Sequence, residues 1–201
     1  MNARLTAIRK TLDAGPLPAA DRRGRLLSAA LLVLHEEGIH ALTQTRVAAV
    51  AGLRQSHLTY YFPTRIDLLK ATVEHAAGAV MALVGDGAQS MATSLNDVRS
   101  ILCHQISDTR MPRLMIAMAV AADEDPSLKA WMAAFDLRVR NFFAMALQRF
   151  DVRVSASDLA LFHATLVGVA LLNYSAGTPS SARQARALVK AAFDRVVADA
   201  F

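Results

Sequence analysis

The sequence predicts an all-α protein with a helix-turn-helix near its N-terminus. Alanine and leucine dominate the 201 residues, against nine glycines and 6% aromatics, which is a helical composition. Apolar residues recur at helical spacing between well-placed breakers, and no stretch alternates as a strand would. A third observation is the segment 43–62, where two short helical patterns flank a single glycine.

The elements follow in order. Residues 1–20 read as a basic leader: Leu5, Ile8 and Leu12 have helical spacing, but Gly15, Pro16 and Pro18 break it. It is expected to be a mobile arm. Asp21 is a capping residue for a helix through Leu27, Leu31 and Leu34 to Glu37, with Gly38 as terminator. Thr43 is placed to cap a second helix ending at Ala51 and Gly52, and a third fits 55–61. Pro63 interrupts the chain before a long helix from about Thr64 that ends near Gly85 and Gly87. Further helices are expected over 95–106, from Pro112 to Ala122, from Ser127 to Phe150, from Ser155 or Ser157 to Tyr174, and over 181–200. The acidic run at Asp123, Glu124 and Asp125 reads as a loop before Pro126, and 177–180 as a turn. We divide the chain into the leader 1–20, a DNA-binding domain 21–66, and an effector-binding and dimerisation domain 67–201.

Charge is unevenly placed. Through Arg65 there are nine basic and four acidic residues, and beyond it thirteen of each, so the net +5 lies in the first third. A localised basic end is the footprint of a module that meets phosphates. At 54% hydrophobic and 19% charged, the chain is too apolar to be disordered. Its longest apolar runs, 114–122 and 166–172, are too short to span a bilayer, so no membrane partner is expected. The basic leader lacks the apolar stretch of a secretory signal, and the single Cys103 fits a reducing cytoplasm.

In 43–62, Gly52 suits the left-handed corner between helices, while Val47, Ala48, Ala51, Leu53 and Leu58 suit the crossing. Arg54, Gln55, Ser56, His57 and Thr59 are left for the outer face, where base edges and phosphates are met. From Asp21 to about Val80 the sequence resembles the TetR family of transcriptional regulators. Ala29-Ala30, Gly38, Leu42-Thr43, Val47-Ala48, Ala51-Gly52-Leu53, Leu58, Tyr60-Tyr61-Phe62-Pro63 and Leu68-Leu69 carry the resemblance. It implies a three-helix DNA-binding domain, a connecting fourth helix and a helical ligand domain that dimerises. By position it places Thr43 and Thr45 near the phosphate backbone and Gln55, Ser56 and His57 in the major groove. The hydroxyls of Tyr60 and Tyr61 fall near phosphates, and Arg65 takes the family's usual lysine position. Arg54 stands where the family usually has a capping serine, His57 replaces a threonine and Thr59 a tyrosine. These departures point to a different operator rather than to no DNA.

Met111, Met115 and Met118 form one stripe, and Trp131, Phe135 and Phe142 another. Plain core packing would explain them, but methionine is also used at adaptable ligand surfaces. Together with His104 they are the expected effector pocket. Arg110 and Arg113 flank it and favour an acidic amphiphile. Ala164, Gly168 and Leu172 on one helix, and Ala185, Val189 and Ala192 on the next, are the expected dimer interface. No catalytic or metal site is expected. His35 and His40 are five apart across Gly38, which a zinc-protease helix forbids. No cofactor is expected. The reading is a cytoplasmic homodimeric repressor that binds a pseudo-palindromic duplex operator and is released by a small apolar or amphipathic effector. Its rivals are an adaptor or architectural protein of the same fold without an effector, and a helical-bundle enzyme.

Overall fold

The computed structural model describes residues 22–85, 91–108 and 110–198. The leader 1–20, the Asp21 cap, Gly87 and the end of the last helix at Ala200 lie outside them. Among the described residues are nine α-helices, one 3-10 turn and no strand. The chain divides into two compact units, Met1–Ala76 and Ala77–Phe201.

The first unit holds α1 (Arg22–Glu37), the 3-10 turn Ile39–Ala41, α2 (Gln44–Val50), α3 (Gln55–Tyr61) and the first turns of α4 (Arg65–Val84). Leu26, Leu27, Ala30, Val33 and Leu34 recur at three and four residues along α1, so its buried side is one stripe. With Val47, Leu58 and Leu68 they are fully shielded from solvent, and each large side chain contributes about 1.5–3 kcal/mol. Local chemistry sets the ends. Gly38, at φ +83°, ends α1. The hydroxyl of Thr43 accepts from the Arg46 amide at 3.2 Å to cap α2. Thr64 and Asp67 cap α4 reciprocally: the Asp67 carboxylate accepts from the Thr64 amide at 3.0 Å, and the Thr64 hydroxyl from the Asp67 amide at 3.0 Å. The division between units falls inside α4 rather than at its start, because buried Leu68, Leu69, Thr72 and Val73 belong with the first unit.

The second unit holds α5 (Leu95–Gln105), α6 (Arg110–Glu124), α7 (Ser127–Gln148), α8 (Ala156–Ala176) and α9 (Pro179–Ala198). Its core runs through Val98, Leu102, Phe143, Leu147, Phe162, Val189 and Phe193. Phe143, Phe162 and Phe193 meet edge-on, with centroids 6.2 and 6.1 Å apart. Asn173 ties three helices: its amide donates to the Ile106 carbonyl at 3.2 Å, and its oxygen accepts from the Ser181 hydroxyl at 2.9 Å. Arg149, at the end of α7, donates to the carbonyls of Val84 at 2.8 Å and Gly85 at 2.6 Å, capping the end of α4.

Four expectations need correction. The acidic run is not all loop: α6 continues through Asp123 to Glu124, because exposed Asp123 faces solvent and leaves the helix undisturbed. The last helix starts at Pro179, not Ser181; proline suits a first helical turn, and left-handed Gly177 at φ +62° has already ended α8. In α9, Ala185 and Val189 are buried in the chain's own core and Ala192 packs against it, so that ridge is not an open interface. The ridge it leaves exposed is Ala187, Leu188 and Ala191. Finally, α8 is long and apolar enough to cross a membrane by length and composition, which the shorter runs judged in isolation concealed. It is no more than that: Leu159, Phe162 and Val169 pack the core, and Asn173 and His163 are tied to neighbouring helices.

Candidate nucleic-acid interface

α2 and α3 cross at a corner that sterics dictate. Ala51 ends α2, Gly52 turns at φ +64°, and the Leu53 amide donates back to the Ala48 carbonyl at 2.9 Å. A side chain at Gly52 would be strained by that φ and would meet the Arg25 guanidinium at 3.1 Å. The far ends of the two helices are joined by Gln44, whose amide donates to the carbonyls of Phe62 at 2.7 Å and Pro63 at 3.1 Å. Thr45 and Gln55 bond across the crossing at 3.3 Å. The relative placement of α2 and α3 is thus fixed from three points.

On this scaffold the expected contact residues share one surface only in part. Thr43, Thr45, Arg54, Gln55, Ser56, Tyr60 and Arg65 are exposed, Tyr60 at 80%. Tyr60 stands furthest out of this face, with its hydroxyl free to reach beyond it. It meets the half-buried Tyr61 edge-on at 5.1 Å. Arg54 is the N-cap of α3 but makes no side-chain cap bond, so the serine it replaces leaves that role unfilled and the guanidinium projects outward. His57 is half-buried, with Nδ1 enclosed and unpartnered, so any outward contact must use its other nitrogen. Thr59 donates to the carbonyls of Gln55 and Ser56 at 3.2 Å, turning its hydroxyl back onto α3. Arg65 donates from Nε to the Leu42 carbonyl at 3.4 Å, which holds the head of its guanidinium near the start of α2.

Two residues here escaped the sequence reading. Arg46 grips Glu37 side-on, with Nε donating at 3.0 and 2.9 Å and Nη2 at 2.7 Å. Those hydrogen bonds hold the Glu37 carboxyl below the ordinary carboxylate range and raise Arg46. Gly38 interrupts the pattern between them, so no helical spacing announced the pair. Gln44, a bland first-turn residue in sequence, is the other.

Residues 26–72 match the sequence profile of the bacterial regulatory proteins of the tetR family. Over those residues the chain is similar to the TetR family. Among curated relatives, the HTH-type transcriptional regulator BetI of Burkholderia lata is 27% identical over 204 residues, covering 88% of this chain and 94% of that protein. The nucleoid occlusion factor SlmA of Haemophilus influenzae is 25% identical over 138 residues, or 66% of this chain and 63% of SlmA, so less than two thirds of that protein is spanned. Of solved structures, a transcriptional regulator from Rhodococcus sp. Rha1 superposes with TM-score 0.67 at 17% identity, covering 89% of this chain and 97% of that one. The multidrug binding protein EbrR, solved with imidazole, superposes at TM-score 0.56 and 24% identity over 91% and 96%. Residues 26–72 are thus the part of the chain that carries the likeness to TetR-family DNA-binding regulators, and the rest shares their helical fold.

In the second unit, the residues expected to line an effector site are divided. Met118 is buried, Met111, Met115, Trp131, Phe135 and Phe142 are half-buried, and His104 is exposed. Trp131 and Phe135 stack at 5.2 Å with Arg138 over both rings. Phe142 would touch a Cβ at Gly85 at 3.5 Å, which puts it beside the end of α4. Arg110 is bound to Asp108, so its charge is already answered, and Arg113 lies over the Tyr174 ring at 5.6 Å. An open hollow of about 250 Å³ lies elsewhere, among Leu95, Asn96, Arg99, Phe193, Asp194, Val197 and Ala198, and contains none of the expected residues. Cys103 is half-buried, and burial pushes its thiol up, away from a reactive thiolate.

Proposed function

We propose that the protein is a homodimeric repressor working in the cytoplasm, which reads a pseudo-palindromic operator with residues 21–66 and is released by a small effector held by residues 67–201. The observation that carries the reading is the exposed, polar and cationic face of α2 and α3 with Tyr60 standing out of it. Arg54, Gln55, Ser56 and His57 would supply groove contacts, while Thr43, Thr45, Tyr60, Tyr61 and Arg65 would supply backbone contacts; Thr59, its hydroxyl turned onto α3, drops out. Gln55→Ala is expected to change which bases are preferred. Arg65→Ala is expected to weaken binding to every sequence and flatten the salt dependence by about one phosphate. Binding-site selection with each variant separates the roles, and a shared shift in base preference would refute the division.

Assembly would use the outward faces of α8 and α9. Leu161, Ala164 and Leu172 of α8 are exposed, Leu172 at 70%, and so is Leu188 of α9 at 45%. Only 17% of the apolar stretch of α8 is buried within one chain. Such a surface suits two helices from each subunit across a two-fold axis, and the symmetry matches a two-fold operator. Of the expected interface residues, Gly168 would remain the close-packing point, while Ala185 and Val189 drop out.

The effector would sit between the second-unit part of α4 and α6 and α7, against Met111, Met115, Trp131, Phe135 and Phe142. Half-buried, adaptable methionines and stacked rings support an apolar or aromatic compound. With Arg110 engaged by Asp108, the preference for an acidic amphiphile loses its main support. EbrR is named for multidrug binding, which fits the same chemistry. Effector should quench or shift Trp131 fluorescence and release DNA, and Met115→Trp should block both while sparing operator binding. An effector that releases DNA with Trp131 unmoved would place the site elsewhere. The likeness to SlmA favours a second reading, a DNA-bound adaptor with no effector. Thermal stabilisation by a panel of apolar compounds would favour the first; none at all would favour the second.

A further inference from the structure

The Arg46–Glu37 pair stands at the edge of the DNA-reading surface, and its placement asks for a reason. Glu37 is the last residue of α1, where the helix dipole disfavours an anion. Arg46 lies in the first turn of α2, its amide donating to the hydroxyl of Thr43, a residue expected near the phosphate backbone. The pair is exposed, with the Arg46 side chain at 50% and the Glu37 side chain at 35%, and exposed pairs are weakly held and readily exchanged. The side-on fork of Arg46 on Glu37, at 2.7–3.0 Å, is also the geometry in which guanidinium grips a phosphate.

We propose that Glu37 occupies, in the free protein, the seat on Arg46 that a DNA backbone phosphate takes in the complex. Glu37 therefore sets the overall affinity for duplex DNA without touching it, and Arg46 is a sequence-independent contact. The inference rests on the reading above that the start of α2 meets the phosphate backbone. The exchange is one of equals in shape: a carboxylate leaves two N–H donors and a phosphate accepts them. Plain repulsion of the approaching phosphates by Glu37 would act in the same direction. What separates competition for Arg46 from plain repulsion is whether the effect needs Arg46.

The test is fluorescence anisotropy of the full chain on two duplexes, a mixed-sequence one and the selected operator, across a salt series. Glu37→Gln should tighten binding to both by about two- to fivefold at low salt, the weight of an exposed ion pair, and steepen the salt dependence. Arg46→Gln should weaken both and lower the salt slope by about one phosphate. On the Arg46→Gln background, Glu37→Gln should change nothing. A gain that persists without Arg46 would mean plain repulsion and would overturn the inference. If the pair only stapled α1 to α2, both single variants would weaken binding and lower the melting temperature together, which would also overturn it. Should Arg65→Ala act as described while Glu37→Gln does nothing, the inference falls and the DNA-binding surface stands. Should the unaltered protein bind neither duplex, both fall.

Discussion

Gly168→Leu is expected to convert the proposed dimer to monomer and to abolish operator binding while leaving the chain folded. Within one chain a Cβ at Gly168 would meet nothing within 4 Å, so the subunit itself has room for the new side chain. A close helix–helix seam does not. Added volume in a packed interface costs about 1–3 kcal/mol, and a two-fold axis imposes it twice. Operator affinity falls because two separate heads no longer bind as one unit. Light scattering reads the assembly, and circular dichroism confirms that the helices persist. A variant still dimeric at micromolar concentration would move the interface away from α8. Val189→Ala is the contrast. Val189 is fully buried in the chain's own core, so its truncation should lower the melting temperature and spare the dimer.

Gly52→Val should abolish operator binding by a different route. At φ +64° an L-residue costs about 1–2 kcal/mol, and a β-branched one more. The new Cβ would also press the Arg25 guanidinium, whose flexible end can yield. The strain falls on the corner that sets α3 against α2, so Thr45 and Gln55 would lose their register. The first unit should melt earlier and DNA binding should be lost, while light scattering still reports a dimer. Gly52→Ala should show the same effect at smaller size. Unchanged operator affinity in Gly52→Val would mean that the corner does not govern reading.

Much of this was legible because the punctuation is local. Thr43, Gly52 and Pro63 bracket α2 and α3 by cap chemistry and sterics, and those helices fall within a residue of expectation. Ser155 caps α8 for the same reason, its hydroxyl accepting from the Asp158 amide at 3.1 Å. One cause of failure is that pattern does not say what an apolar face packs against. In α9 the ridge through Ala185 and Val189 and the ridge through Ala187, Leu188 and Ala191 are both small and apolar, and only the fold decides which turns inward. In α6 the acidic Asp123 resembled a loop because polarity was read as irregularity, although a solvent-facing carboxylate suits a helix. Arg149 reaches carbonyls 64 and 65 residues away, and Arg46 reaches Glu37 across a glycine. Long flexible side chains leave no periodic trace.

The central claim is that two copies of the α2–α3 surface read DNA together. Binding-site selection from random duplexes, followed by footprinting of the selected site, tests it most directly. The account predicts a pseudo-palindrome with half-sites about one helical turn apart or a small multiple of it. Gln55→Ala should alter the preferred base at symmetric positions in both halves. A single asymmetric site bound by one subunit, or binding with no sequence preference, would contradict the account.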